Sequence, residues 1–555
     1  MKKLHVLILL LVCSLQQLFC QWDGNPATVN NPISTSPNDA VDLVMVSDGA
    51  GGVIAAWSVY DDDDISSIQM QRKTSVGGIG WQTVNNPITI AIDPINYLEI
   101  ADIKSDGNGG AYIAWVSYLT DTLSDIYVQH ISNTGAKLFG SMGIKLNPAN
   151  GHLFTKVKLS VNTTGCIVCW GDGQYTFGTS QLFVQRFSSS GVPQWAAGGV
   201  MVSSVNSIKN SFEVLGDGSD GVFISFEDFR NSIRDSTGNL KNVNIYAQHI
   251  NSSGSRLWGT TDALVTGAVN NQSLPYGVGD NGFMITDNEG GFIILYSSTV
   301  NNVAGNYAQR MNSSGTRLWA NEGVAVLNFV GKMHMASDGA NGIVVSGLQI
   351  NFSTFYNSIY AQRVSGSGAK LWTADGKLIN APNTQSPNST SMAADGAGNF
   401  VFNWTITDPV SFLSVVKGQK INGNGQLLWT ADGVNICNNP VADPLNPFIL
   451  RSSGTNQMIS AWIDFRNSNV SGRDIYCAKI DTNGQLITSI VYTSNGSGNW
   501  SNPAIWVGNI VPPMGADVIV RHNIVVDINT TCNSLTVQAP GVITVNTGVT
   551  LTILR

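Results

Sequence analysis

The residues of this chain that could bind or transform a ligand are mostly acidic and thinly spread. Asp61, Asp62, Asp63 and Asp64 put four carboxylates in a row, a donor type that Ca²⁺ favours. The run lacks the alternating Asp spacing and the Glu at twelve of a calcium loop, so it reads as a solvated acidic loop tip. The stretches EDFR at 227–230 and IDFR at 463–466 each set an Asp two residues before an Arg. Asp228 with Arg230, and Asp464 with Arg466, can pair across a turn and fix a loop, and their recurrence favours that structural role over catalysis. Glu227 precedes the first pair. Cys166 and Cys169 have CxxC spacing but lie in the apolar run CIVCW, where an odd offset on a strand points two side chains to opposite faces. They read as buried small apolar residues, and no second CxxC or His pair completes a zinc site.

Signatures of enzymes are mostly missing. Six His occur, none in HExxH, and there is no GxSxG or P-loop. The GxGxxG spacing from Gly277 to Gly282 precedes the strand-like FMITD instead of opening a helix. Paired carboxylates for glycan hydrolysis are not locatable from spacing. No cofactor and no metal site is expected, calcium being the one weak possibility.

The elements that position these residues follow from composition. At 555 residues the chain exceeds one ordinary core, so it holds several domains or one repeat architecture. Charged residues make up 12%, Gly occupies 58 positions, and Asn, Ser and Thr crowd the gaps between apolar runs, a pattern of short strands and tight turns. The net charge of −8, with no Lys and Arg cluster, argues against a nucleic-acid partner.

One unit recurs. The segments VQHISNTGAKLF, VQRFSSSGVPQW, AQHINSSGSRLW, AQRMNSSGTRLW, AQRVSGSGAKLW and GQKINGNGQLLW each place an aromatic four residues after a Gly, at Phe139, Trp195, Trp258, Trp319, Trp372 and Trp429, with Trp81 as a degenerate earlier copy. Upstream of each aromatic stands a hairpin signature such as SDGAGG at 47 or SDGANG at 337, since these turns need the positive φ that Gly or Asn supplies cheaply. Four antiparallel strands per unit, with no helical period, make a propeller blade. Eight units are counted if NTTG at 162–165 and SSG at 452–454 are accepted. The eighth has Thr488 where its aromatic should stand, and Trp22 lies one period before Trp81. The N-terminal residues are therefore expected to supply the outer strand of the last blade, which removes an exposed sheet edge. Seven blades with an insertion, or an open array, are the alternatives.

The Gly-to-Trp spacing resembles the tryptophan-docking repeat of quinoprotein-type eight-bladed propellers. The likeness implies that Trp22, Trp81, Phe139, Trp195, Trp258, Trp319, Trp372 and Trp429 wedge between blades as structural docking residues. The adjacent Cys pair and calcium-held cofactor site of the quinoprotein dehydrogenases are not visible. The turns also lack the Asp of a sialidase Asp-box.

The ends carry separate signals. Lys2 and Lys3, an apolar run from Val6 to Val12 and a polar start at Gln21 read as a signal peptide over residues 1–20, too short for a permanent span; Cys20 raises a lipoprotein alternative. The propeller is assigned to 21–492 and a β-rich segment to 493–555. That segment's runs DVIVRHNIVVD, SLTVQ, GVITV and TLTIL look like the opening rungs of a β-helix, and with its paired Trp and Pro-Pro it resembles bacterial surface proteins exported by the type IX pathway. The pattern is still running at Arg555, which leaves an incomplete sequence or another export path open, and a strand-rich linker is the plain alternative.

Connections from second to third strand and from fourth to first vary in length, so variation gathers on one rim, where a rigid scaffold carries its site. That rim holds Asp61 to Asp64, Tyr118, Asp121, Asp172, Glu227, Asp228, Arg230, Asp408, Asp464 and Arg466. The expectation is a monomeric, secreted or cell-surface propeller that binds a protein or glycan there without catalysis. A glycan-degrading enzyme is the alternative, and a passive spacer the third.

Overall fold

The computed structural model describes residues 22–553, except for 29–30, 61–65, 121–122, 147–155, 174–179, 235–239, 268–270, 276–281, 301–302, 352–355, 382–385, 409–412, 488–490, 508 and 513–515. Asp61 to Asp64, Asp121, Thr488, Cys20 and the leader thus lie outside the described residues. The chain divides into two compact units, residues 25–486 and residues 487–555 with Gln21–Gly24.

The first unit is an eight-bladed propeller of four-stranded antiparallel blades. Blade 1 runs Asp39–Ser47, Val53–Tyr60, Ser66–Lys73 and Ile88–Asp93, and blade 2 runs Tyr97–Ser105, Ala111–Thr120, Leu123–Ile131 and Ile144–Lys145. The later blades repeat this order. Blade 4 carries an added hairpin, Ile233–Arg234 with Leu240–Lys241, and blade 5 splits its innermost strand into Gln272–Ser273 and Met284–Thr286. Blade 8 takes its outer strand, Pro32–Ser34, from the N-terminus, with Pro32 opposite Tyr476. Further closing contacts join Ser452 Oγ to the Gly51 carbonyl at 2.8 Å and Lys479 Nζ to the Ser75 carbonyl at 2.8 Å.

Blades adhere through a repeated clasp on the face of the short turns. In blade 5, one Asp287 oxygen accepts the Glu289 and Gly291 N–H groups, while the other pairs with Arg310 at 2.9 Å. Arg310 then donates to the Gly366 carbonyl of blade 6 at 2.9 Å, and the Trp319 indole donates to that same oxygen at 2.9 Å. Blade 6 repeats this with Asp338, Arg363 and Trp372 on the Gly423 carbonyl, and blade 1 with Asp48, Arg72 and Trp81 on Asn133. A Gln one residue before the cation locks the aromatic: the Gln309 side-chain oxygen accepts the Trp319 N–H at 3.1 Å, and its amide donates to the Ala320 carbonyl at 2.8 Å.

The turn Gly seats the preceding blade's ring. Gly315 has φ +80°, and a Cβ there would come within 2.9 Å of the Trp258 ring. Trp81, Phe139, Trp195, Trp319 and Trp372 are buried, whereas Trp258 and Trp429 are half-buried. Trp22 is buried but groups with the second unit, apart from the ring-closing strand. Cys166 and Cys169 point into different apolar clusters, one shared with blade 2 and one with blade 4, and both thiols are free and buried.

The second unit pairs its strands in parallel. Val491–Thr493, Ala516–Val520, Thr530–Val537 and Leu551–Ile553 form one sheet, and Gly498–Asn499, Asn523–Val526 and Val542–Val545 another. Its core holds Trp500 and Trp506, edge to face at 4.9 Å. Tyr492 belongs to this unit, so the division falls ahead of the sequence-based boundary at 492.

Truncating Trp319 tests the clasp. Trp319→Ala removes a buried ring and is expected to cost about 3–5 kcal/mol, while Trp319→Phe, which keeps a ring but loses the carbonyl bond, should cost only about 1 kcal/mol beyond its packing change; chemical denaturation of both variants checks the ranking.

Candidate functional site

The opposite face is built differently. Inner strands converge on the propeller axis, and their first residues surround a cavity of about 460 Å³. Second strands end on the same side, since Tyr97 stands opposite Tyr118 and Asp39 opposite Tyr60. This is the rim of the variable connections.

Register breaks shape the mouth. Blade 1 slips between Val41 and Val44, blade 2 between Ile100 and Asp102, and blade 8 between Leu445 and Phe448. A bulge re-aims a side chain that pleat alternation would send elsewhere. Asp42 at φ +53° and Asn446 at φ +47° hold left-handed backbone that Asp and Asn tolerate better than most residues. Both line the cavity.

One wall is acidic and aromatic. Tyr118 donates its hydroxyl to Glu99 Oε2 at 2.8 Å. Tyr97 stacks on Tyr60 with centroids 5.5 Å apart and 4° between planes, and also meets Tyr118 at 5.7 Å. Tyr97 is 43% exposed, so one face of the aromatic row is open. Burial raises the Asp42 carboxyl above its ordinary value. Burial also raises the Tyr60 phenol, with the charges of Asp42 and Glu99 adding to the effect, which places both carboxyls near that hydroxyl. Lys332 and His334 of blade 6 and Thr390 of blade 7 line the other side, and Asn446 of blade 8 lies next to blade 1.

Of the residues singled out in the sequence and described, Tyr118 is tied to this mouth, through its bond to Glu99 and its contact with Tyr97. Glu227 is buried in blade 4, where it accepts the Leu274 N–H at 2.8 Å and the Asn210 amide at 3.1 Å. Burial raises its carboxyl. Asp228 and Asp464 are fully buried. Arg230 bonds Asp228 at 2.8 Å and Asp262 at 2.7 Å, with its guanidinium 3.8 Å from the Tyr246 ring centroid. Arg466 bonds Asp464 at 2.7 Å, lies 3.9 Å from the Tyr476 ring centroid and donates to the Thr28 carbonyl of the closing segment. These four side chains fix loops. Asp172 and Asp408 sit on the variable rim.

Sequence reasoning missed Asp42, Tyr97, Glu99, Lys332 and His334, because it searched connections and not inner strands. The available signal was a polar residue interrupting an apolar inner strand, as in DAVDLVMV and YLEIADI. Among the described residues no group of three or more His, Cys, Asp and Glu is placed to hold a metal.

No family profile and no curated protein sequence matches this chain. Solved structures similar to it include the NanB sialidase of Streptococcus pneumoniae, at 11% identity, covering 83% of this chain and 71% of that one, with a TM-score of 0.34. An endo-arabinase of Bacteroides thetaiotaomicron is 11% identical over 51% of this chain and 98% of its own, with a TM-score of 0.25. The α-L-arabinofuranosidase Arb93A of Fusarium graminearum is 9% identical over 70% and 93%, with a TM-score of 0.31. These likenesses bear on the propeller fold alone; the expectation of a propeller that binds without catalysis is not retained, and its alternative is taken up below. Likeness of this degree carries no residue role across.

The two loop clasps differ at one position, and the difference is testable. Asp474 of blade 8 stands where blade 4 has Asn244, and both bond the Asn that follows the clasp Arg. Burial pushes Asp474 up to about 6, with Asp464 nearby adding to the rise against hydrogen bonds from Asn467 and Ser471. A carboxyl raised in the folded state costs nothing below its unfolded value near 4, and its cost grows with pH until it is complete above about 6. Asp474→Asn is therefore expected to add about 1–3 kcal/mol at pH 8 and nothing at pH 3.5, read from denaturation midpoints across pH.

Proposed function

We propose that this chain is an exported enzyme that cleaves extracellular glycans at the axial mouth of its propeller. The observation that carries the reading is the pairing, in one cavity, of two carboxyls, Asp42 and Glu99, with the partly open ring of Tyr97, which Tyr60 and Tyr118 back from outside the cavity lining. Sugars present apolar ring faces that stack on aromatic side chains. Most glycosidases cut the bond with two carboxyl groups, one protonated to serve the leaving oxygen and one ionised. Asp42, with its raised carboxyl, suits the proton donor. Glu99, oriented by the Tyr118 hydroxyl, suits the base or nucleophile.

The left-handed backbone at Asp42 and Asn446 supports this reading, because such strain persists where surrounding structure enforces it and gathers at functional sites. The charged and apolar leader supports export, and the parallel-stranded C-terminal unit fits display at the outer surface, by the type IX route or another. The repeated indole-to-carbonyl contact supports the likeness to quinoprotein-type propellers in blade closure alone. The partner is thus an extracellular glycan, met by a monomeric propeller.

Incubation of the purified protein with a polysaccharide panel should release reducing ends from at least one member. Asp42→Asn and Glu99→Gln should each lower kcat by about 10²-fold or more with the thermal midpoint preserved. Binding to a glycan array with no release from any polysaccharide would overturn the catalytic reading.

A further inference from the structure

The wall of the cavity that faces away from the acidic and aromatic row holds groups the proposed cleavage does not use. Lys332, an exposed residue just before the blade 6 inner strand Met333–Ser337, makes no side-chain hydrogen bond or ion pair among the described residues, and it lines the cavity. Two neighbours on the same wall are incomplete as well. His334 Nε2 is buried without a hydrogen-bond partner, and so is the hydroxyl of Thr390, a residue only 4% exposed. Most buried polar atoms in proteins are satisfied, so two orphans beside one cavity need a ligand group or water to complete them. The surrounding protein lowers the Lys332 ammonium, and it pushes His334 down to about 4, which leaves that ring neutral. A neutral imidazole offers one donor and one acceptor nitrogen.

Together these groups describe the missing ligand. An unpaired ammonium on the cavity lining suits an anion, and the flanking imidazole and hydroxyl suit hydroxyl groups beside it. Glu99 on the opposite wall repels that anion and so fixes which way the ligand lies. A neutral sugar would leave Lys332 without a counter-charge in the closed complex.

We propose that the axial cavity takes an acidic glycan, seating the carboxylate of a sugar acid against Lys332 and neighbouring hydroxyls against His334 and Thr390. This rests on the reading of the cavity as a glycan site and names its substrate class. A sulfated sugar is the competing anion.

The test uses the full exported chain and matched oligosaccharides: trigalacturonate and sialyllactose, the methyl esters of both, neutral lactose, and a sulfated galactose oligomer. Calorimetric titration should show at least one free acid binding about ten- to a hundredfold tighter than its methyl ester, with affinity falling as salt rises. Lys332→Met keeps the alkyl stem and should erase that difference while the thermal midpoint holds. Thr390→Val, a second probe, should weaken the acid severalfold without changing the salt dependence. Equal affinity for acid and ester, no binding by any acid, preference for the sulfated oligomer, or discrimination surviving in Lys332→Met would each overturn the proposal. Reducing-end release, followed in parallel, separates the two readings: acid-selective binding without release defeats cleavage alone, and equal cleavage of acid and ester defeats the acidic-glycan assignment alone.

Discussion

At five of the eight seams the ring depends on a single backbone oxygen shared by two donors. A turn carbonyl of one blade receives the indole N–H and the cationic side chain of the blade before it, as at Gly366 and Gly423. A charge-assisted donor and an aromatic donor meeting on one acceptor fix both the distance and the tilt between neighbouring sheets. Packing alone tolerates sliding of one flat sheet over another. The carbonyl does not, because hydrogen bonds weaken steeply with misalignment.

Variations among blades follow from what each seam can still supply. Phe139 has no N–H to give, and in that blade His130 bridges Asp106 and the Ser189 carbonyl, 3.1 Å and 3.0 Å away. Blade 3 has Asn162 where others have the turn Asp, and its Arg186 pairs instead with Asp220 of blade 4 at 2.6 Å. Blade 8 has Ser452 there, and its Ser452 and Lys479 reach blade 1 backbone directly. Each substitution keeps a donor on the next blade's backbone.

The two faces therefore carry polarity differently. On the clasp face, charge is consumed within the seams and the residues that carry it are mostly buried. On the other face, bulges turn Asp42 and Asn446 toward the axis, and Lys332, His334 and Thr390 keep unmet bonding capacity across the cavity from the tyrosine row. Groups committed to holding blades together are not free to follow a ligand, so chemistry gathers where the ring needs none for closure. The same division explains the EDFR and IDFR stretches, which lie on the variable rim yet serve it as fixed struts under Tyr246 and Tyr476.

The sequence by itself determined the blade, its repeat and the ring closure, because turn glycines, strand alternation and the aromatic spacing are local rules that recur within each unit. It also carried the opposite orientation of Cys166 and Cys169, since parity along a strand decides that. The inner-strand mouth was decided by tertiary structure. Asp42 and Glu99 are neighbours only once adjacent blades are arrayed around an axis, and Lys332 and Thr390 face them across it from segments more than 200 residues away in sequence. A one-residue bulge reverses which face a side chain takes, so pattern reading assigns such positions to the wrong side. The repeated Gln and cation of the third strand were visible as letters, but their partners lie on other blades, and only the closed ring gives those letters a carbonyl to hold.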